Sequence, residues 1–190
     1  MEEQIHEGKT FEKVVYTGQV VKNRSFENCI FRHCDLSNSD FSSSKFTDCR
    51  FVNCNLSMMK LRGSKVSDVH FKECKMLGIL FGDCADFLFS VSFENSVLDY
   101  SSFVNKKMPK TTFVNCSMKQ VTFNDLDLTK AKFDNTDLND ATFRDVVLTQ
   151  ADFTTAKNYR IDPELNVLKK AKFSLYGIPG LLTKYDITIE

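Results

Sequence analysis

Residues 31–51 read FRHCDLSNSDFSSSKFTDCRF, and this stretch decides the fold. A large apolar residue stands at every fifth position, and a small residue stands two positions before each of them. The apolar positions are Phe31, Leu36, Phe41, Phe46 and Phe51. A helix repeats every 3.6 residues and a strand every two, so neither accounts for a period of five. The period therefore predicts a repeat architecture in which short units stack on one another.

The five-residue period extends over most of the chain, from Phe11 to Phe153, with one two-residue slip near Cys84. After the slip the apolar centres resume at Leu88, which makes Phe87 and Phe89 ambiguous neighbours in a small bulge. Positions twenty apart then form columns, and one column contains only phenylalanine: Phe11, Phe31, Phe51, Phe71, Phe93, Phe113, Phe133 and Phe153. Four units per turn therefore predict a four-sided solenoid with a coil of twenty residues.

The units CDLSN, SDFSS, CNLSM, TDLND and ADFTT match A(D/N)LXX, the loose consensus of the pentapeptide-repeat family. The chain resembles that family over residues 11–157. The resemblance implies an all-β solenoid, specifically a right-handed quadrilateral β-helix of about seven coils. At about 4.8 Å per coil, the rod would be about 35 Å long. A polar lead-in at residues 1–10 would precede the rod, and a helical cap at residues 158–190 would follow it.

The expected cap has two helical signals. Asp162 can cap a helix that starts at Pro163, and residues 178–185 predict a second short helix. Between them, Phe173 resembles one last inward unit of the repeat. A cap is expected because an open solenoid end exposes unpaired backbone groups and invites edge pairing.

The composition narrows the class of protein. Lysine and arginine number 25 and so do aspartate and glutamate, so the net charge is zero. This balance gives no support for a nucleic-acid-binding surface over the whole chain. The N-terminus has no signal peptide, and no apolar run approaches the roughly 20 residues of a membrane span. Seven cysteines without a secretory signal indicate a reducing compartment, so we expect a cytoplasmic protein that contacts no membrane.

The seven cysteines fall on the small-residue position or on its continuation at the bulge. We interpret them as corner packing, because a buried thiol behaves as a small apolar group. Redox or metal sensing through the stacked thiols is the alternative, although His33 and His70 fall on outward positions. No phosphate-binding loop, zinc motif or paired nucleophile and base occurs. We therefore predict no enzymatic activity, no cofactor and no metal.

Lys106 is an exception to the apolar interior, because it stands at an inward position. A buried charge needs a partner, so a local loop at residues 105–110 is expected instead. Such a loop would be either a tolerated bulge or a contact for a partner.

Acidic residues concentrate late in the repeat, and all of those between residues 111 and 157 are aspartates. The seven are Asp125, Asp127, Asp134, Asp137, Asp140, Asp145 and Asp152. They predict an electronegative strip for a basic partner. The alternative is that the repeat consensus alone places an aspartate beside each central leucine. Asp125 and Asp145 should stack one coil apart, although adjacent like charges are mildly unfavourable.

Within the family, the chain is similar to the Qnr and MfpA proteins in its length and in its single rod with a capped C-terminus. Those proteins resemble B-form DNA and bind DNA gyrase or topoisomerase IV, which they protect from quinolones or inhibit. The resemblance implies a non-enzymatic DNA mimic that binds no nucleic acid directly. It also implies a homodimer formed through Phe173, Leu181, Leu182 and Tyr185. The alternative function is a generic scaffold for an unknown protein partner.

Overall fold

Short parallel strands stacked at a constant register form nearly the whole molecule. The computed structural model describes residues 4–188, which form sixteen strands and one α-helix. The strands are β1 (Gln4–Glu7), β2 (Thr10–Glu12), β3 (Arg24–Glu27), β4 (Ile30–Arg32), β5 (Lys45–Thr47), β6 (Arg50–Val52), β7 (Lys65–Ser67), β8 (Val69–Lys72), β9 (Val91–Glu94), β10 (Ser102–Lys107), β11 (Thr112–Val114), β12 (Thr122–Asp127), β13 (Lys132–Asp134), β14 (Thr142–Val147), β15 (Asp152–Phe153) and β16 (Lys172–Phe173). The helix α1 is Pro179–Leu182, and 3-10 turns lie at Phe81–Asp83, Leu175–Gly177 and Thr183–Tyr185.

The strands form three sheets that wrap one solenoid. The largest has nine strands in the order β16-β15-β13-β11-β9-β8-β6-β4-β2. The others are β1-β3-β5-β7 and β10-β12-β14. Successive strands of the nine-stranded sheet lie one turn apart, so its nine strands span about eight turns of the rod. The predicted all-β solenoid is confirmed. It has about one coil more than expected because the ladder extends beyond residues 11–157 at both ends.

The ladder includes part of the polar lead-in. Strand β1 pairs with β3 in parallel, and His6 lies in register with Phe26. The imidazole ring stacks on the Phe26 ring with centroids 5.0 Å apart. Residues 4–7 therefore form the outer layer of the rod at its N-terminal end, while residues 1–3 lie outside the described part.

The core is a set of aromatic columns along the rod axis. In the all-phenylalanine column, successive ring centroids are 4.5 to 5.3 Å apart and the ring planes are nearly parallel. Phe173 stacks on Phe153, which confirms it as the last inward unit. Each ring that is fully buried contributes about 1.5–3 kcal/mol through removal of apolar surface from water. The columns therefore stabilise the coil spacing that the backbone ladder sets.

The corners of each coil explain why a small residue stands two positions before each apolar centre. The Cys34 thiol donates to the carbonyl oxygens of Phe11 and Arg32, both at 3.3 Å. Close by, His33 takes a left-handed φ of 53°, and such a residue recurs in most five-residue units. Left-handed backbone is costly for most side chains, but asparagine and aspartate tolerate it best. The Asn and Asp content of the repeat therefore reflects its turns.

The two-residue slip lies where it was predicted, but Leu88 is not the inward residue. Leu88 has a left-handed φ of 56° and is 65% exposed. Phe89 is only 6% exposed and packs its ring 6.3 Å from that of Phe81. The turn at Leu88 directs that side chain outward and brings the larger apolar ring into the core. Phe87 also projects into solvent, 70% exposed.

The expected loop at residues 105–110 is also wrong. Strand β10 runs without interruption through Lys106, whose side chain is 2% exposed. Its ammonium group donates to the carbonyl oxygen of Cys84 at 2.8 Å and pairs with the Asp86 carboxylate. The ring of Phe89 lies 5.8 Å from the same nitrogen. The insertion thus supplies the partners that a buried lysine requires.

The helix predicted to start at Pro163 does not form. Residues 163–166 make a turn, and Val167 bridges to Val147 in the preceding coil. Asn166 is buried, and its side-chain amide donates to the carbonyl oxygens of Phe143 and Asp162. Pairing with the preceding coil therefore outweighs the local capping signal. The second predicted helix is confirmed, because α1 and its flanking 3-10 turns cover that segment.

Candidate interaction surfaces

The seven aspartates that were predicted to form a strip lie on strands and corners of two different sheets. Asp125, Asp127 and Asp145 lie on β12 and β14 of the three-stranded sheet. Asp134 and Asp152 lie on β13 and β15 of the nine-stranded sheet. Asp137 and Asp140 flank Leu138 in the coil that links these sheets. The structure thus brings together three of the seven on one surface.

That surface, which we call the acidic groove, consists of Asp125, Asp127 and Asp145. The groove encloses about 370 Å³, and Lys107 and Asn105 lie at its edge. Asp125 and Asp145 occupy the same left-handed corner position on consecutive coils, so their Cα atoms are about 4.8 Å apart. Both carboxylates are exposed, and Asp145 is 3.7 Å from the Arg144 side chain. The groove therefore presents neighbouring negative charges to solvent.

The aspartates of the nine-stranded sheet accept hydrogen bonds from other residues of the rod. The Asp134 carboxylate accepts a hydrogen bond from the Thr155 hydroxyl at 2.7 Å. Asp137, in the segment that links the two sheets, behaves in the same way, since its carboxylate accepts from the Asn158 side-chain amide at 2.7 Å. Hydrogen bonds from Thr154 lower the pKa of Asp152 below its usual range, although burial opposes them. These contacts favour a role in holding neighbouring coils together.

The four residues predicted to form a dimer interface differ in their exposure. Phe173 and Leu181 are half-buried and pack against the core of the rod. Leu182 is also half-buried and lines an end groove of about 540 Å³ with Arg160. Tyr185 is 53% exposed, and its hydroxyl donates to the Glu164 carboxylate at 3.2 Å. The cap therefore uses most of these side chains to close the rod.

Sequence reasoning missed the most exposed apolar side chains at this end. Leu175 is 83% exposed and Tyr176 is 95% exposed. Both lie in the 3-10 turn that follows β16. Their position directly after the last repeat unit, where the five-residue pattern ends, was the available signal. They form the outermost apolar surface of the described cap.

The seven cysteines are all unpaired and buried. Burial raises the pKa of Cys49 and of Cys84 to about 12. Burial likewise raises the pKa of Cys34 and of Cys116 to about 11. Within residues 4–188, no group of three or more histidine, cysteine or acidic side chains is placed to hold a metal ion. These four thiols are therefore protonated in the folded protein, and the burial of all seven is typical of packing groups.

Comparisons with known proteins agree with this architecture. A family model described as pentapeptide repeat region matches residues 24–103, and one described as pentapeptide repeats (8 copies) matches residues 123–157. No curated protein sequence matches the chain significantly.

No helix formed by the described residues has the length and apolar character of a membrane span.

Solved structures of QnrB1, a plasmid-mediated fluoroquinolone resistance protein, share the fold. One trypsin-treated variant matches with a TM-score of 0.60 and 19% identity, over 99% of this chain and 98% of that one. Another matches with a TM-score of 0.58 and 20% identity, over 100% of both chains. Full-length QnrB1 matches with a TM-score of 0.50 and 20% identity, over 96% of this chain and 100% of that one. At this identity the likeness concerns the fold.

Proposed function

Since the chain belongs to the pentapeptide-repeat family, we propose that it acts without catalysis, as a rod that binds DNA gyrase or topoisomerase IV. In this proposal the acidic groove occupies part of the surface on which the enzyme holds DNA, and the bound rod modulates the enzyme or protects it from quinolones. The shared fold with QnrB1, a fluoroquinolone resistance protein, supports the choice of partner. The cytoplasm is the proposed location, because the enzyme meets DNA there.

The observation that carries the proposal is the alignment of carboxylates in the acidic groove. Asp125 and Asp145 repeat at the coil spacing on a backbone fixed by interstrand hydrogen bonds. A DNA-binding surface is rich in lysine and arginine, because phosphates dominate its affinity. A rigid row of negative charges can therefore compete for the same cations and accelerate association.

A supercoiling assay tests the proposal. Purified rod in molar excess should change the supercoiling activity of gyrase or of topoisomerase IV, and should reduce binding of duplex DNA. The double variant Asp125→Asn, Asp145→Asn should lose most of this effect. The matched control is Asp134→Asn, Asp152→Asn, which removes two charges from the other sheet. Unchanged activity at excess rod, or equal loss in both doubles, would contradict the proposed role of the groove.

The second candidate function is a scaffold for a different protein partner. The zero net charge and the division of the aspartates between two sheets favour it, because a DNA mimic needs one extended negative face. Cross-linking in a cell lysate followed by mass spectrometry would then recover a reproducible partner other than a topoisomerase. The same preparation would leave supercoiling unchanged.

We also propose that two copies associate through the C-terminal end. Leu175 and Tyr176 supply exposed apolar surface there, and Phe173, Leu181, Leu182 and Tyr185 form the cap behind them. Light scattering after size exclusion should give twice the mass of one chain, and Tyr176→Ser should shift the protein toward monomer. Tyr100→Ser is the matched control, because Tyr100 is 61% exposed on the side of the rod.

A further inference from the structure

A groove with the opposite charge lies on the nine-stranded sheet, near the N-terminal end of the rod. Its cationic side chains are Arg32 on β4, Arg50 on β6 and Lys72 on β8, with the His70 imidazole beside them, and we call this surface the basic groove. It encloses about 370 Å³. None of these residues takes part in the proposed topoisomerase contact.

The strand register forms the two walls of the basic groove. The residues before and after each inward phenylalanine both point outward, since side chains alternate along a strand. Arg50 and His70 are register neighbours on one wall. Arg32 and Lys72 are on the other wall, each one coil from Val52. The walls are about 7 Å apart, the span of two residues along a strand.

The two arginines have no acceptor for their guanidinium groups. Among residues 4–188, no hydrogen bond or ion pair involves the side chain of Arg32 or that of Arg50. Glu12 is the register neighbour of Arg32 but makes no ion pair with it. Arg50 instead faces a histidine in the adjacent coil. The two guanidinium groups therefore lie on opposite walls with no counter-charge in contact, and an anion between the walls could pair with both.

The groove ends at a carboxylate. Glu94 pairs with Lys72 at 2.8 Å, and the pair raises the pKa of the lysine. The His70 ring is hydrogen bonded to the Ser92 hydroxyl. The available positive charge is thus concentrated at Arg32 and Arg50, while Lys72 is held partly by its own partner.

We propose that the basic groove binds a phosphate group, which Arg32 and Arg50 hold from opposite walls. Guanidinium groups bind phosphate and carboxylate through paired hydrogen bonds. A carboxylate has two oxygens and satisfies one guanidinium fork. A phosphate has three or four acceptor oxygens in a tetrahedral arrangement, so it can accept from both walls at once. A site with donors on two facing walls therefore favours phosphate over carboxylate.

Isothermal titration of the full chain with inorganic pyrophosphate tests the site, with malonate as a dicarboxylate of similar size at the same ionic strength. We expect saturable binding of pyrophosphate that is at least fivefold tighter than that of malonate. Arg32→Gln and Arg50→Gln should each weaken pyrophosphate binding about tenfold, because each removes charge-assisted hydrogen bonds. Arg62→Gln is the matched control, since Arg62 is exposed on another side of the rod, and it should bind like the native protein.

A fourth variant should strengthen the binding of pyrophosphate rather than weaken it. Glu94→Gln removes the carboxylate that competes for Lys72, so pyrophosphate should bind at least threefold tighter. The proposal is overturned if the native protein shows no saturable binding of pyrophosphate. It is also overturned if malonate binds equally well, or if Arg62→Gln weakens binding as much as the groove variants do. Thermal unfolding of each variant establishes that the exposed substitutions leave the rod folded.

Discussion

The coil at residues 31–51 and the coil at residues 81–103 have the same interior and different exteriors. In the first, Phe31 and Phe51 stack with ring centroids 4.6 Å apart. In the second, Phe81 and Phe103 also stack at 4.6 Å, although two more residues separate them in sequence. The additional length is carried outward, where Phe87 projects into solvent.

The difference shows which part of the coil is fixed. The aromatic columns and the backbone ladder keep their spacing when the chain gains residues, because any change there would leave buried groups unpaired or unpacked. The surface absorbs the change, since water solvates a displaced backbone. The insertion in turn allows one polar group inside, because it supplies a carbonyl and a carboxylate to Lys106.

The largest expected effect separates an inner phenylalanine from an outer one. Phe51→Ala should lower the free energy of unfolding by about 3–5 kcal/mol, because Phe51 is 1% exposed between two stacked rings. Phe87→Ala should change it by less than about 0.5 kcal/mol, because that ring is in solvent. Urea denaturation of both variants measures the difference. Equal losses would mean that the insertion is part of the core.

The next effect concerns the lysine beneath the insertion. Lys106→Ala should cost about 2–3 kcal/mol, since it leaves a cavity and an unpaired carbonyl at Cys84. Lys106→Met keeps most of the volume and removes a buried charge, so its cost should stay below about 1.5 kcal/mol. Denaturation midpoints compare the two. A methionine variant as unstable as the alanine variant would show that the ammonium contacts, not the packing, dominate.

A smaller effect is expected at a turn of the regular coil. The Asp40 carboxylate accepts from the Ser42 amide at 3.0 Å and pairs with Lys22 at 2.9 Å. Burial alone would raise the pKa of Asp40, but these contacts hold it at about 2. Asp40→Ala should cost about 1 kcal/mol at pH 7. Asp83→Ala in the insertion coil, where the carboxylate is exposed, should cost less than half as much.

The pH dependence of that turn follows from the lowered pKa. The folded state holds the Asp40 proton less tightly than the unfolded chain, so the stabilisation is complete above about pH 4. It is lost as the pH falls toward 2. The native protein and the Asp40→Ala variant should therefore converge in stability between pH 4 and pH 2. A constant difference across that range would contradict the assignment.

The smallest expected difference is between the thiols of the two coils. Cys49 and Cys84 both have a pKa raised by burial to about 12, so neither should react with a disulfide reagent at pH 8 while folded. Since the folded thiols hold their protons more tightly than unfolded thiols, stability should fall as the pH rises above about 9. Faster labelling of Cys84 would show that the insertion opens locally.

The fold could be predicted because the apolar residues that determine it recur at every fifth position. The stacking of Phe31 under Phe51 follows from counting along the chain. The inward residue of the insertion could not be predicted, since it depends on the left-handed backbone at Leu88. The burial of Lys106 depends on groups that come from the preceding coil. The helix-capping signal at Asp162 is present in the sequence, but strand pairing with the preceding coil outweighs it. A local sequence pattern contains no information about that pairing.

The surfaces were less predictable than the core. The stacking of Asp125 on Asp145 follows from the period, and the structure places them on one corner. Their separation from Asp152 depends on which side of the coil each unit occupies. The repeat itself does not specify the exposure of Tyr176, and the available signal is its position after Phe173, where the period ends. Function on such a rod is determined by outward residues, which the repeat leaves free to vary.

The parallel ladder also determines how the molecule would respond to a mechanical load. Its interstrand hydrogen bonds join each coil only to the coils directly above and below it. Tension applied between the two ends would load these layers in series, and the outermost coil, which has one neighbour, would detach first. Each detached coil of twenty residues would lengthen the chain by about 60 Å. Stretching would therefore proceed in uniform steps, with one longer step where the insertion lies.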